Sequence, residues 1–216
     1  MEKQYNRREF LKYTTMVTTG LVESLVVPET LYATTNEDLR YSYPTPKTRE
    51  DLKNIPEKDL FARMIFGEGR GCPTIQERIL IGQTAPNRLN DGKIYTGKNS
   101  LREVLLKQNK RKERLDDQYD CFCDTIPKIR ENFHATLDPL KYEPREWKKS
   151  LIIASILLYA NFNQFNKGQT IYVTKKLIKK WERKGTSPLW FRKCKKTKGY
   201  IQNDHLFRHE FYKEAV

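Results

Sequence analysis

The amino-acid sequence predicts a mainly helical α+β domain, and three features lead to this prediction. Residues 74–77 and 100–103 have the capping-box pattern that begins helices, Ser or Thr followed three residues later by Glu. An apolar run from Leu151 to Ala160 has the length of a buried helix, since a membrane-spanning helix needs about 20 residues. Residues 169–174 are rich in β-branched and aromatic side chains and predict a strand.

The composition indicates a folded protein with a strongly basic surface. The 216 residues include 41 Lys and Arg against 27 Asp and Glu, a net charge of +14, and 12% are aromatic. The aromatic content excludes charged disorder, and the length is sufficient for one domain with its own core. We expect a monomer. The charge favours an anionic polymer as partner, although each lysine-rich stretch by itself is more simply a solvated face.

The first 33 residues resemble a twin-arginine export signal. Residues 6–12 read NRREFLK, and a mildly apolar stretch from Tyr13 to Val27 follows. That stretch is too short and too polar to span a bilayer stably. We therefore expect recognition by the twin-arginine export machinery and a location in the periplasm, the cell envelope or outside the cell. An uncleaved anchor and an amphipathic helix of a cytosolic protein are the alternatives.

The rest of the chain divides into a linker and a folded domain. Residues 34–53 are polar and include Pro44 and Pro46, a composition that predicts a linker. The domain is expected at 54–216.

Inside this domain the helices are predicted from their start and stop signals. Pro56 begins a helix whose apolar stripe leads to Glu68, and the glycines up to Gly71 end it. A second helix begins at Thr74, with a bend expected at Pro86, and a short third helix begins at Ser100. The further predictions are an exposed charged loop over Lys107–Asp117, a helix from Thr125 towards His134, a central buried helix over Trp147–Tyr159, a helical turn over Leu177–Trp181 and an aromatic segment over Gly199–Phe211.

Glu68 is the candidate catalytic residue. Its helical phase places it on the apolar face of the first helix, where loss of water disfavours a charged carboxylate. It also lies at the helix C-terminus, where the helix dipole disfavours negative charge. A general acid that cleaves a glycosidic bond needs such a protonated carboxyl, and the flanking glycines predict room for a bulky polymer. The alternative is a structural Glu paired with Arg70 or Arg88.

Six segments occur in an order that is typical of one family. They are LFARMIFGEGRG at 60–71, NRLND at 87–91, SLREV at 100–104, QYDCF at 118–122, GQTIY at 168–172 and HLF at 205–207. Together they resemble the cell wall hydrolase family that includes the spore-cortex-lytic enzymes, over about residues 58–213. Two features depart from the family: the strand continues as Val173-Thr174-Lys175, and the charged segment 107–117 is long.

The resemblance implies a lysozyme-like α+β domain with a small β element beside a glycan-binding cleft. It implies a lytic transglycosylase that acts on peptidoglycan, with Glu68 as both general acid and general base and with no cofactor. The carboxyl would protonate the glycosidic oxygen and then take the proton of the muramic C6 hydroxyl, which closes a 1,6-anhydro ring. Asp120 and Asp124 are available as second carboxylates if the reaction is hydrolytic.

The same resemblance implies the side chains that line the cleft. They are Gln118, Tyr119, Phe122 and Tyr172. Aromatic faces pack on pyranose rings and an amide binds hydroxyl or acetamido groups, which suits a sugar polymer. Core packing is the alternative for the aromatic residues, above all for Phe122.

The four cysteines, at 72, 121, 123 and 194, predict disulfides in an exported chain, with three pairings open. Cys121 and Cys123 are too close to form a natural pair with each other. His205 and His209 are four residues apart, but together with Cys-x-Cys this is not a standard zinc spacing, so no metal is expected.

Two function classes compete at this point, besides a non-catalytic relative of the family kept as a wall anchor. The first is an exported peptidoglycan-cleaving enzyme, for which no nucleic-acid partner is expected. The second is a basic non-catalytic protein that binds an anionic wall polymer or nucleic acid. The second accounts for the charge but not for Glu68 between glycines or for the export motif.

Overall fold

The structure is a computed structural model that describes residues 41–91, 100–111, 114–117, 119–125, 127, 130–159, 168–197 and 206–214. The predictions on residues 1–40, Gln118 and His205 therefore lie outside the described residues.

Helices form most of the regular structure. In chain order they are α1 (Glu57–Gly69), α2 (Ile75–Asn90), α3 (Leu101–Leu105), α4 (Arg130–Leu137), α5 (Pro139–Tyr142), α6 (Pro144–Tyr159), α7 (Lys175–Lys184) and α8 (Leu189–Arg192), with 3-10 turns at Glu50–Asn54 and Asp120–Phe122. The strands are β1 (Gln108–Arg111), β2 (Arg114–Asp117), β3 (Ile171–Thr174), β4 (Cys194–Lys196) and β5 (His209–Glu214). The α+β, mainly α, class is thereby confirmed.

Helix α1 lies at the centre of the core. Every residue from Leu60 to Gly67 is buried, and α2, α3, α4 and α6 all pack against this helix. A Cβ atom on Gly82 of α2 would lie 2.6 Å from Cδ1 of Leu157 and 3.1 Å from Cδ1 of Ile65. This glycine therefore permits the close approach of α2 to both α1 and α6.

Helix α6 was predicted as the central buried helix, and the structure corrects this prediction. Its buried residues lie in its first eleven positions, from Trp147 to Ala154, whereas Tyr159 at its end is 65% exposed. Residues 155–158 are only partly buried, and α1 rather than α6 occupies the centre of the core.

The predicted helix starts are confirmed by their caps. Oγ1 of Thr74 accepts a hydrogen bond of 3.2 Å from the backbone N–H of Glu77, and Oγ of Ser100 accepts one of 3.2 Å from Glu103. Gly71, after the end of α1, has φ +74°, the left-handed conformation that favours glycine.

A three-stranded antiparallel sheet has the order β3-β5-β4. Tyr172 pairs with Phe211 and Thr174 with His209, while Cys194 pairs with Glu214. The strand predicted at 169–174 is confirmed as β3. The central strand β5 ends the described chain, so the sheet joins segments that are far apart in sequence.

Residues 107–117 were predicted as an exposed loop, but they form a hairpin. Strands β1 and β2 are antiparallel, with Asn109 opposite Asp116 and Arg111 opposite Arg114. The segment has no alternation of apolar and polar residues, so its pairing left no signal in the hydrophobic pattern.

The second part of the predicted linker packs onto the domain. Arg63 is 0% exposed, and its guanidinium lies 4.7 Å from the ring centroid of Tyr41 and donates to the hydroxyl of Tyr43. The same guanidinium donates to the carbonyls of Thr136 and Leu137, at 2.7 and 2.6 Å. The aromatic residues of a polar segment thus complete the surroundings of a buried cation.

None of the four cysteines, all of which lie in the described part of the chain, forms a disulfide, which corrects the prediction of disulfides. Cys72 follows α1, and Cys194 lies in β4. Cys121 lies in the 3-10 turn at Asp120–Phe122, and Cys123 follows this turn directly. Among the described residues, no helix combines the length and apolar character needed to cross a membrane.

Candidate active site

Glu68 lies in the last turn of α1, is partly exposed, and accepts two hydrogen bonds from different segments. The backbone N–H of Cys121 donates to Oε1 over 2.8 Å, and the hydroxyl of Tyr172 donates to Oε2 over 2.8 Å. The carboxylate therefore lies where α1, the 3-10 turn and β3 meet, and each of its oxygens accepts a hydrogen bond.

The glycines beside Glu68 do not open space for a polymer as the sequence predicted. Gly67 is buried, and a Cβ atom there would overlap Cβ of Cys121 and Oγ1 of Thr136. Gly69 is also buried, and its Cβ would lie 3.1 Å from Cγ of Arg78. Gly67 is required because the turn that carries the Cys121 N–H packs directly on the helix backbone.

The 3-10 turn that holds Glu68 is anchored by its own side chains. Cys121 and Phe122 are 0% exposed and Tyr119 is 1% exposed. Tyr119 and Phe122 therefore lie in the core, which was the alternative for the aromatic residues and the favoured interpretation for Phe122. The backbone of this turn, not its aromatic faces, reaches the candidate site.

Tyr172 is positioned by the Asn-Arg pair of α2. Nδ2 of Asn87 donates to the carbonyl of Gln169 over 2.7 Å, and Nε of Arg88 donates to the carbonyl of Thr170 over 2.7 Å. These bonds fix the chain just before β3 and so fix the strand that presents the Tyr172 hydroxyl. The two residues that the sequence identified by resemblance thus have a structural role next to the site.

Arg88 also explains the burial of Tyr119. Its guanidinium carbon lies 4.7 Å from the centroid of the Tyr119 ring, a cation–π geometry between two buried side chains. The Asn-Arg pair therefore contacts both segments that hold Glu68: the strand through backbone carbonyls and the turn through this ring.

The Tyr172 hydroxyl keeps its proton at physiological pH. Burial raises the pKa of Tyr172 well above its usual value, and the carboxylate of Glu68 beside it raises it further. Since the usual value is about 10, the hydroxyl stays protonated across the physiological range.

The alternative partners considered for Glu68 have other contacts. Arg70 forms a salt bridge with Glu143, with Nη2 and Oε1 2.9 Å apart. Arg88 donates to the carbonyl of Thr170. Asp120 and Asp124, the candidate second carboxylates, have exposed side chains, and Asp120 immediately precedes the N–H that holds Glu68.

His209 lies beside the site and was not predicted as part of it. Its ring meets the ring of Tyr172 edge to face, with centroids 5.5 Å apart. His209 and Phe211 are two positions apart on one strand and so share a face, and this spacing could have indicated an inward-facing histidine.

A basic surface lies on α7, which follows β3 directly. Lys176, Lys179, Lys180, Arg183 and Lys184 are exposed, and the helix buries no residue completely. A shallow surface concavity is lined by four basic residues of this helix and Glu182. Helix α7 is therefore a concentrated positive patch next in sequence to the strand that carries Tyr172.

Comparison with protein-family models, with curated proteins and with solved structures finds no match to this chain.

Proposed function

We propose that this protein cleaves the glycan strands of peptidoglycan, as a lytic transglycosylase in which Glu68 is the general acid and base. The observation that supports this most is the carboxylate of Glu68, partly exposed and held at both oxygens by Cys121 and Tyr172. A carboxyl in fixed orientation at the junction of a helix end and a strand is suited to proton transfer at one defined point.

The two hydrogen bonds assign different tasks to the two oxygens. The N–H of Cys121 can only donate, so Oε1 is an acceptor in both protonation states of Glu68. The hydroxyl of Tyr172 can donate or accept, so the transferable proton belongs on Oε2. The glycosidic oxygen would receive this proton, and Oε2 would then take the proton of the muramic C6 hydroxyl.

The proposal extends to fold and location. A helix that ends in the catalytic carboxylate beside a small sheet is consistent with a lysozyme-like arrangement, in which the substrate would lie across Glu68 and Tyr172. Export by the twin-arginine route would bring the folded enzyme to the cell wall. The sequence resemblance of residues 58–213 supports the fold, and the twin-arginine pattern at residues 6–12 supports the location.

The decisive experiment measures the loss of turbidity of purified sacculi with wild-type protein and with Glu68→Gln. Gln has nearly the same shape but cannot donate an acidic proton, so cleavage should fall by at least about 10²–10⁴-fold. Mass spectrometry of the wild-type products should show 1,6-anhydromuramic ends.

The matched control is Glu131→Gln, because the Glu131 side chain is 84% exposed and should not affect cleavage. Reducing ends in the products would leave Glu68 as the acid but exclude the transglycosylase route. Full activity of Glu68→Gln would reject the catalytic proposal.

The patch on α7 favours a second candidate, a basic non-catalytic protein that binds an anionic wall polymer or nucleic acid. Sedimentation of wild-type protein with sacculi, without any release of soluble glycan, would support this candidate. Cleavage that depends on Glu68 would exclude it as the whole function.

A further inference from the structure

A cluster of three buried side chains joins segments that are distant in sequence. Cys72 follows the end of α1, Glu77 lies in the first turn of α2, and His209 begins β5. Sγ of Cys72 lies 3.8 Å from Nδ1 of His209, and Oε1 of Glu77 lies 2.9 Å from the same nitrogen. The potential ligand atoms of all three residues lie within 4.8 Å of one another.

We propose that Cys72, Glu77 and His209 form a binding site for a divalent transition-metal ion of the zinc type, which fastens the terminal strand β5 to α2. The site is structural, and the proposal does not depend on glycan cleavage.

The donor set selects the class of ion. A thiolate and an imidazole are ligands of zinc and related transition metals, whereas magnesium and calcium prefer sites made of oxygen atoms. The carboxylate of Glu77 is a common third ligand in zinc sites. The three side chains are 7%, 0% and 6% exposed for Cys72, Glu77 and His209, so the ion would be shielded from solvent.

The separations of the ligand atoms are close to those of a bound zinc ion. Tetrahedral coordination with Zn–S of about 2.3 Å and Zn–N and Zn–O of about 2.1 Å requires S to N of about 3.6 Å and N to O of about 3.4 Å. The corresponding distances here are 3.8 and 2.9 Å. The third separation, from Sγ of Cys72 to the carboxylate of Glu77, is within 4.8 Å, so side-chain shifts of about one ångström or less would admit the ion.

The second oxygen of Glu77 points to the same conclusion. Oε1 accepts the backbone N–H of His209 over 2.7 Å, but Oε2 is buried and has no hydrogen-bond partner among the described residues. A buried carboxylate oxygen without a partner is costly. A metal ion that Glu77 binds through both oxygens would satisfy Oε2 and give four donor atoms in a distorted tetrahedron, since the two oxygens of one carboxylate lie close together.

The charges of the bound site balance. Binding releases the thiol proton of Cys72, and His209 binds through the lone pair of Nδ1 with its ring proton on Nε2. One thiolate and one carboxylate then neutralise the dication. Burial raises the pKa of the Cys72 thiol to about 12 and the charge of Glu77 raises it too, against the lowering effect of Arg78 and Arg208, so the ion must displace a firmly held proton. A neutral complex adds no net positive charge next to the two arginines.

The experiment is a titration of full-length protein, dialysed against a chelator, with Co²⁺. We expect one equivalent to bind, with a thiolate-to-cobalt charge-transfer band and the visible bands of tetrahedral coordination, and Zn²⁺ should abolish both. Binding without the charge-transfer band, or no binding, would overturn the proposal.

Variants test whether the charge-transfer band arises from Cys72, Glu77 and His209. Cys72→Ala should remove it, whereas Cys123→Ala and Cys194→Ala, which lie outside the cluster, should retain it. Glu77→Gln should weaken Co²⁺ binding by at least about tenfold while circular dichroism stays unchanged. If Cys72→Ala does not fold, His209→Gln serves as the second variant, and its retention of the full band would contradict the site.

Discussion

The hydroxyl of Tyr172 donates a hydrogen bond to Oε2 of Glu68, and the two residues are 104 positions apart in the chain. This bond connects the end of the central helix with the small sheet. It identifies Tyr172 as the residue that orients the proposed catalytic carboxyl, rather than as one of several aromatic residues along a cleft.

The first prediction concerns Tyr172→Phe. The variant keeps the ring and its contact with His209 but removes the hydrogen bond to Oε2, so the carboxyl loses one of its two fixed contacts. A hydrogen bond to a charged group is worth about 1.5–3 kcal/mol, which corresponds to a decrease of about 10- to 100-fold in kcat.

Release of soluble glycan from sacculi measures this effect. The pH profile of cleavage should also change, because the surroundings of the group that transfers the proton differ. Tyr212→Phe is a control, since its hydroxyl donates to Glu210 and not to Glu68. An unchanged rate and profile in Tyr172→Phe would mean that this bond does not position the carboxyl.

The second prediction concerns the packing beneath Glu68. Gly67→Ala would force its Cβ against Cβ of Cys121 and Oγ1 of Thr136, so it should lower the free energy of unfolding by about 1–3 kcal/mol. It should also reduce cleavage, because displacement of Cys121 moves the N–H that holds Oε1.

Gly69→Ala is the matched control for this test. The three atoms nearest its Cβ would all belong to the side chain of Arg78, with Cγ at 3.1 Å, so the overlap is much smaller than at Gly67. Urea unfolding and cleavage assays should rank the two variants in this order. Equal stability of both variants would show that the turn does not depend on the glycine.

The start of each helix could be predicted because a cap depends on residues three positions apart. Thr74 and Ser100 accept the bonds that the capping-box pattern predicts. The donors to Glu68 could not be predicted in this way, since Cys121 lies 53 positions away and contributes a backbone N–H, which has no sequence signature. The helical phase identified the carboxylate, and only the fold identified what holds it.

The glycines beside Glu68 and the predicted linker are features that the sequence predicted wrongly. Small residues beside Glu68 predicted space for a ligand, but in the folded chain they admit the protein's own backbone at Cys121. Residues 41–43 looked like linker because polar residues surround them, yet Tyr41 and Tyr43 contact the buried cation of Arg63. The composition of a segment does not show which individual side chains contact residues that are distant in the sequence.

The third prediction concerns pH and stability. Burial alone would raise the pKa of Glu146, but the hydrogen bond from Lys149 and the charge of Arg78 outweigh it and lower that pKa. Glu146 therefore stabilises the fold above its unfolded pKa of about 4.3, and this contribution is lost as the pH falls through its lower folded pKa.

Glu146→Gln tests this contribution by urea unfolding between about pH 7 and about pH 3. The variant should be less stable at neutral pH by about 1 kcal/mol or less, since solvent screens the ion pairs, and the difference should disappear at the acidic end. Glu131→Gln, at an exposed position, should show little difference at any pH. A difference that persists unchanged at low pH would contradict the ion-pair explanation.

The fourth prediction concerns export. Replacing Arg7 and Arg8 by Lys should leave the protein in the cytoplasm, because the twin-arginine receptor reads paired guanidinium groups that an ammonium does not reproduce. Cell fractionation and immunoblotting measure the distribution. The reverse exchange, of Lys3 and Lys12 to Arg, should leave export unchanged. Unaltered export of the variant with Lys at positions 7 and 8 would reject the twin-arginine prediction.

The fifth prediction concerns the positive patch on α7. Replacing Lys176, Lys179 and Lys180 by Glu lowers the net charge from +14 to +8, because each of the three exchanges changes it by two. Binding to sacculi should weaken in this variant and lose most of its dependence on salt. For the wild type, binding should fall as salt rises from about 0.05 to 0.5 M, since the screening length shortens over that range.

A control with the same net charge separates a local patch from overall charge. Lys47, Lys53 and Lys141 are exposed and lie outside α7, so the corresponding triple exchange to Glu also gives +8. If α7 is the binding surface, the α7 variant should bind sacculi more weakly than this control at every salt concentration below about 0.5 M. Equal binding by the two variants would show that wall affinity follows total charge, and that α7 has no special part in it.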